Sequence, residues 1–96
     1  MKEIHCFIFG RVQGVGYRAW CEKEARKLSL SGWVRNRSNG SVEVYAKGTV
    51  ENIDVFLSSC KNGPLFAYVK SIEPVSIVTA SLPLVEEGVF KQMPTM

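Results

Sequence analysis

Histidine is almost missing from this chain. The single one, His5, stands in an apolar run near the N-terminus, which suits a sheet face better than a general base or a metal ligand. Nothing around it supports a Ser–His–Asp or Cys–His arrangement. Cysteine is scarce too. Cys6, Cys21 and Cys60 are odd in number, widely spaced and form no C-x-x-C pair, which points to free thiols in a reducing compartment. A phosphatase loop needs five residues between cysteine and arginine, but Cys6–Arg11 and Cys21–Arg26 each have four. No cluster of carboxylates, or of cysteine with histidine, has the spacing of a metal site, so no metal or other cofactor is expected. No apolar stretch approaches the ~20 residues of a membrane span. The first apolar run, "IHCFIFG", is short, meets Arg11 at once and carries no cleavage-like sequence. The expectation is a cytoplasmic protein with no membrane partner.

What remains is an ordinary globular composition. Hydrophobic residues make up 46% and charged residues 22%, and aromatic and β-branched residues run throughout, which excludes disorder. A chain of 96 residues can build one modest core, so residues 1–96 read as a single domain, expected to be a monomer. The net charge of +3 is unevenly held. Residues 1–48 carry nine Lys/Arg against four Glu, and the remainder three Lys against five Asp/Glu. That imbalance favours a small anion bound in the first half, or a weak nucleic-acid surface.

The hydrophobic pattern predicts a strand over residues 3–12, with Ile4, Cys6 and Ile8 on one face and His5, Phe7 and Phe9 on the other. A helix follows over 17–30, with Tyr17, Cys21, Ala25 and Leu28 as its apolar stripe and Gly32 placed to end it. "GWVRNR" and "SVEVYAKG" read as two strands joined at Asn39-Gly40, a pair that tolerates positive φ. Val42, Val44 and Ala46 alternate with Glu43, Tyr45 and Lys47, the pattern of a half-buried strand. A second helix spans 50–61, capped by Thr49, with Ile53, Phe56, Leu57 and Cys60 inward and Asn62-Gly63-Pro64 stopping it. "AYVKSIEPVSIVTA" reads as one long strand, bent or frayed near Pro74, and a short strand sits around Val89–Lys91. The order β-α-β-β-α-β with a small terminal strand predicts an α+β, ferredoxin-like sandwich: an antiparallel sheet with two helices on one face. Phe7, Phe9 and Tyr45 would then lie on the far face as a possible contact surface.

Between the first strand and the first helix lies "FGRVQGVGYR". It admits two readings: a tight turn, or a backbone cradle for an anion at the helix N-terminus, with Arg18 as a guanidinium fork. It matches neither the P-loop nor the dinucleotide fingerprint, so spacing alone does not decide. A site without metal, covalent nucleophile or strong base narrows the substrate. Phosphate esters usually need an acid or a metal to expel an alkoxide. An acyl phosphate expels a carboxylate whose conjugate acid has a pKa of about 4, so no proton donor is required. Positioning and charge stabilisation then suffice, given one polar group to orient water. Asn36 can hold a water through its amide, although from spacing it reads more simply as the residue opening the hairpin.

"GRVQGVGYR", "GWVRN" and the Asn-Gly hairpin together resemble the acylphosphatase family. The similarity continues through "NGSVEVYAKG", "VENIDVFLSSC" and "KNGPLFAYV", covering about residues 3–80. The resemblance implies hydrolysis of acyl phosphates to a carboxylate and inorganic phosphate, with no metal and no phosphoenzyme. It implies a phosphate cradle made by the backbone of Gln13, Gly14, Val15, Gly16, Tyr17 and Arg18. Inorganic phosphate or sulfate would occupy the same loop. Arg18 would be the substrate-binding arginine and Asn36 the residue that orients the attacking water. Gly16 stands where members vary, and Tyr17 where Phe is common. Arg37 follows Asn36 where a small hydroxyl residue often stands, so a water network using that hydroxyl is not expected here. The tail after Leu84 matches weakly. The competing reading is a module on the same fold that binds a phosphorylated metabolite or nucleic acid without turnover. The aromatic signature of RNA-binding strands is absent from "SVEVYAKG", which weighs against nucleic acid.

Overall fold

The computed structural model describes residues 1–77 and 82–96. In chain order the elements are β1 (Lys2–Arg11), α1 (Tyr17–Lys27), β2 (Ser31–Asn36), β3 (Val42–Gly48), α2 (Val50–Cys60), β4 (Tyr68–Pro74) and β5 (Phe90–Met93). The five strands form one sheet in the order β4-β1-β3-β2-β5. All neighbours are antiparallel except β2 and β5, which run parallel. The expected sandwich is therefore present, with one correction: the terminal strand joins in parallel, beside β2. Both helices cover one face. Cys6, Ile8, Val34, Val42, Val44 and Ala46 from the sheet meet Cys21, Ala25, Ile53, Phe56 and Cys60 from the helices, all buried. No described helix is long and apolar enough to cross a membrane.

Helix ends follow local chemistry. Thr49 caps α2, its Oγ1 accepting from the Asn52 N–H at 3.2 Å. The end of α1 differs from expectation. The helix stops at Lys27, because Ser29 takes the left-handed conformation, φ 55°. The Leu30 N–H then reaches back to the Ala25 carbonyl at 3.0 Å and the Ser29 N–H to Arg26 at 3.1 Å, a Schellman closure built on serine instead of glycine. Gly32 instead lies inside β2, at φ 149°, where an added Cβ would strike the backbone carbonyl of Tyr45 on β3. Gly32→Ala should lower stability by about 3 kcal/mol or more, measured by urea unfolding, because backbone on both strands must move. A loss below about 1 kcal/mol would show that the strands separate freely there.

Three further boundaries shift. In the hairpin only Gly40 adopts positive φ, while Asn39 uses its side chain, Oδ1 accepting from the Ser41 N–H at 3.0 Å. β4 ends at Pro74; residues 78–80 of the expected longer strand lie outside the described residues. β3 is buried on both faces rather than half-buried. On the far face His5, Trp33, Arg35, Glu43 and Tyr45 are all buried. Residues 82–85 lie against Tyr45 there, across a cavity of about 150 Å³. The far-face surface expected from Phe7, Phe9 and Tyr45 is thus reduced to the half-buried Phe7 and Phe9.

Candidate functional site

The glycine loop runs off the end of β1 and alternates in direction. Gly14 (φ 74°) and Gly16 (φ 81°) are left-handed and exposed, while Val15 between them turns in to pack on the core. A Cβ on either glycine would meet nothing within 4 Å. The left-handed backbone, not crowding, asks for glycine here, and the space in front of both is open. Gly16 is also the residue before α1. No side chain caps that helix and no acid lies in its first turn, in contrast to α2 with Thr49 and Glu51. The leading N–H groups of α1 and the positive end of its dipole therefore remain available to an anion.

Tyr17 anchors the turn from below. Its hydroxyl donates to the Cys60 carbonyl at 2.6 Å, tying the start of α1 to the end of α2. Burial, followed by the neighbouring Cys60, pushes this phenol far up, so it remains protonated. Arg18 follows on the outer side, half-buried, with Nη1 donating to the Met93 carbonyl on β5 at 3.3 Å. No other described residue engages its fork, which can meet a ligand with its remaining N–H groups.

Asn36 reaches the same place from the end of β2. Alternation with Val34 sets it on the helix side of the sheet, half-buried. No hydrogen bond from a described residue claims its side-chain amide. Gln13 joins the two halves of the site: its Nε2 donates to the carbonyls of Arg37 (2.7 Å) and Ser41 (2.8 Å), tying the glycine loop to the hairpin that follows Asn36. The result is a cavity of about 250 Å³ lined by Val12, Gly14, Gly16, Tyr17, Arg18, Ala19, Asn36 and Gln92. Of the sequence-predicted site residues, Gly14, Gly16, Tyr17, Arg18 and Asn36 meet there. Gln13 and Val15 stand behind the loop. Gln92, on β5, escaped sequence reasoning. Only the alternation of a strand placed beside β2 points to it. Arg11 stays exposed at the end of β1, away from the cavity.

The hydroxyl position beside Asn36 is answered differently in this chain. The Arg37 side chain leaves for the far face, where Nη1 donates to Glu43 Oε1 at 3.2 Å and the guanidinium carbon sits 5.9 Å from the centre of the Phe7 ring. Glu43 also accepts from Arg35 Nε at 2.7 Å and His5 Nε2 at 2.6 Å. Burial alone would raise the Glu43 pKa. The hydrogen bonds from Arg35 and His5, and the charges of Arg35 and Arg37, outweigh burial and hold it below the ordinary value. His5 is therefore a far-face residue, away from the cavity. The cysteines are buried in the core, and burial pushes Cys6 up to about 12 and Cys21 well up. Neither offers a thiolate nucleophile at neutral pH. Among the described residues no three His, Cys, Asp or Glu side chains stand close enough to share a metal ion.

An arginine fork, an open backbone turn on an uncapped helix start, and one unclaimed amide are suited to a tetrahedral oxyanion and a water beside it. Comparison with known proteins agrees in kind. The family model described as acylphosphatase matches residues 4–80. An acylphosphatase of Azorhizobium caulinodans is 51% identical over 70 residues, which are 73% of this chain and 75% of that one. One of Nitrobacter winogradskyi is 42% identical over 90 residues, 93% of this chain and 91% of that one. The crystal structure of acylphosphatase from Bacillus subtilis superposes with a TM-score of 0.83 at 33% identity, covering 97% of this chain and 99% of that one.

Proposed function

This chain belongs to the acylphosphatase family, and from that membership and the cavity we infer that it hydrolyses acyl phosphates by direct attack of water. In this reading the N–H groups of the glycine loop and the first turn of α1 receive the phosphate oxygens, and the Arg18 fork binds two of them. Asn36 holds a water on the side of phosphorus opposite the acyl group. The water oxygen bonds to phosphorus as the P–O bond to the acyl carbon's oxygen breaks. The acyl group leaves as a carboxylate, which needs no acid at neutral pH. Once the oxygen–phosphorus bond has formed, the proton on the new P–O(H) group passes to the other phosphate oxygens or to solvent, so no side chain has to change its protonation state. A loose transition state gathers charge on the equatorial oxygens, and the fixed donors around them act there without reorganising.

One observation carries this reading. Arg18 and Asn36 lie on separate elements and line one small cavity together with the two open glycines. A phosphate sensor would need the cradle and Arg18 but has no use for an unclaimed amide on the opposite wall. The test is release of phosphate from benzoyl phosphate by the purified protein with a metal chelator present. Turnover well above spontaneous hydrolysis is the expected result. Phosphate binding with no turnover would overturn the enzymatic reading and leave a sensor.

A further inference from the structure

A water that attacks phosphorus must point a lone pair at it. Both of its O–H bonds then turn away, and each needs an acceptor. Asn36 supplies one through Oδ1. Among the other side chains of the cavity, Val12, Gly14, Gly16 and Ala19 have no polar atom, and Arg18 only donates. The Tyr17 hydroxyl is buried and engaged with the Cys60 carbonyl. Arg37 has turned to Glu43 on the far face. Gln92 remains.

Its position fits. β2 and β5 run parallel with Val34 opposite Gln92, so Val34, Asn36 and Gln92 share the helix side of the sheet. One strand across and two residues along separates the Asn36 and Gln92 Cα atoms by about 8 Å, a span that two carboxamides and one water fill. Its orientation is set from behind. Gln92 Nε2 donates to Glu22 Oε1 at 2.9 Å, and Arg26 Nη2 holds Glu22 Oε2 at 2.9 Å. A carboxylate only accepts, so the amide nitrogen must face Glu22, and no described residue donates to Oε1 of this exposed side chain, which leaves that oxygen as an acceptor. We propose that Gln92 is the second residue holding the attacking water, its Oε1 taking the O–H that Asn36 leaves free. This role rests on the hydrolysis inferred above. Gln92 takes no proton in the reaction; it fixes the direction of the water while the oxygen–phosphorus bond forms.

The test is Gln92→Met, similar in length and without the carboxamide acceptor, beside Glu22→Ala, which frees Gln92 without changing the cavity wall. With benzoyl phosphate, Gln92→Met should lower kcat about tenfold, the worth of one hydrogen bond made in the transition state. KM and the inhibition constant of inorganic phosphate should stay within about twofold, since phosphate is held by other groups. Glu22→Ala should lower kcat by a smaller factor, because the acceptor is still present though less fixed. The inference is overturned if Gln92→Met keeps wild-type kcat. It is equally overturned if both variants lose kcat by the same factor while phosphate inhibition weakens, for Gln92 would then only brace β5 against α1. If the wild-type protein itself shows no turnover, the hydrolysis reading fails first, and the role of Gln92 falls with it.

Discussion

Arg18→Ala should reduce kcat/KM for benzoyl phosphate by about 10³-fold or more and abolish competitive inhibition by inorganic phosphate at millimolar concentrations. The reason is geometric as well as electrostatic. Arg18 sits in the first turn of a helix whose start has neither a side-chain cap nor an acid, so its guanidinium adds to a field already positive. The Met93 carbonyl holds one end of the fork, and part of the ordering cost of binding is met before the ligand arrives. Alanine removes the charge and both donors at once. Lysine should restore little: an ammonium is a point charge, and a planar fork is what matches two oxygens. The fold should tolerate either change, since Arg18 is only half-buried and, among the described residues, its partner is a carbonyl on β5. Circular dichroism and thermal unfolding of both variants check that. A loss below tenfold with the fold intact would mean that the backbone loop alone binds the phosphate.

How far the site could be read from the sequence depends on how far apart its parts stand. The glycine loop, the start of α1 and Arg18 are contiguous, and their chemistry is local, so the residue types point to a turn or an anion cradle there even though spacing alone does not choose between the two. Asn36 alternates with Val34, which sets it on the core side of the sheet, although spacing alone favours the simpler reading of a residue that opens the hairpin. Gln13 was expected only as part of the backbone cradle. Its side chain bonds to the carbonyls of Arg37 and Ser41, a contact across more than twenty positions that no local pattern contains. Gln92 was hidden for a stronger reason. Its face is defined only once β5 is known to lie parallel to β2, and the short tail carries no signal of that pairing.

The far face shows the same logic in reverse. Alternation of Glu43, Tyr45 and Lys47 with apolar residues is the pattern of a solvated surface. Here His5, Arg35 and Arg37 converge on Glu43, so the carboxylate is fully paired and can be buried. Pairing of that kind joins β1, β2, β3 and the hairpin, and it is invisible in any one of them. It also reaches the site, because it fixes the side chain of the residue that follows Asn36. The end of α1 shows a smaller version of the problem. Gly32 looked like a helix stop, but its freedom is used for close approach to β3, and Ser29 bears the left-handed turn.

Asn36→Ala should separate turnover from binding. The expected result is a fall in kcat of about 10²-fold, with the inhibition constant of inorganic phosphate within about twofold of wild type. In the proposed mechanism phosphate is held by the loop and Arg18, none of which the substitution touches. The water keeps access to the cavity but loses its main acceptor, and an oxygen displaced by about 1 Å or turned away from phosphorus reacts far more slowly. Folding should be nearly unaffected. The Asn36 backbone carbonyl accepts from the Met96 N–H at 3.0 Å, and alanine preserves that bond. Asn36→Asp adds an internal control. It keeps an acceptor of the same size but sets a negative charge against the phosphate, so KM should rise along with the loss in kcat. If Asn36→Ala kept near-normal kcat, water would need no partner on that wall, and the case for Gln92 would lapse as well. If instead phosphate inhibition weakened in step with kcat, Asn36 would belong to the cradle. Only the split between the two parameters identifies a residue that acts on the nucleophile.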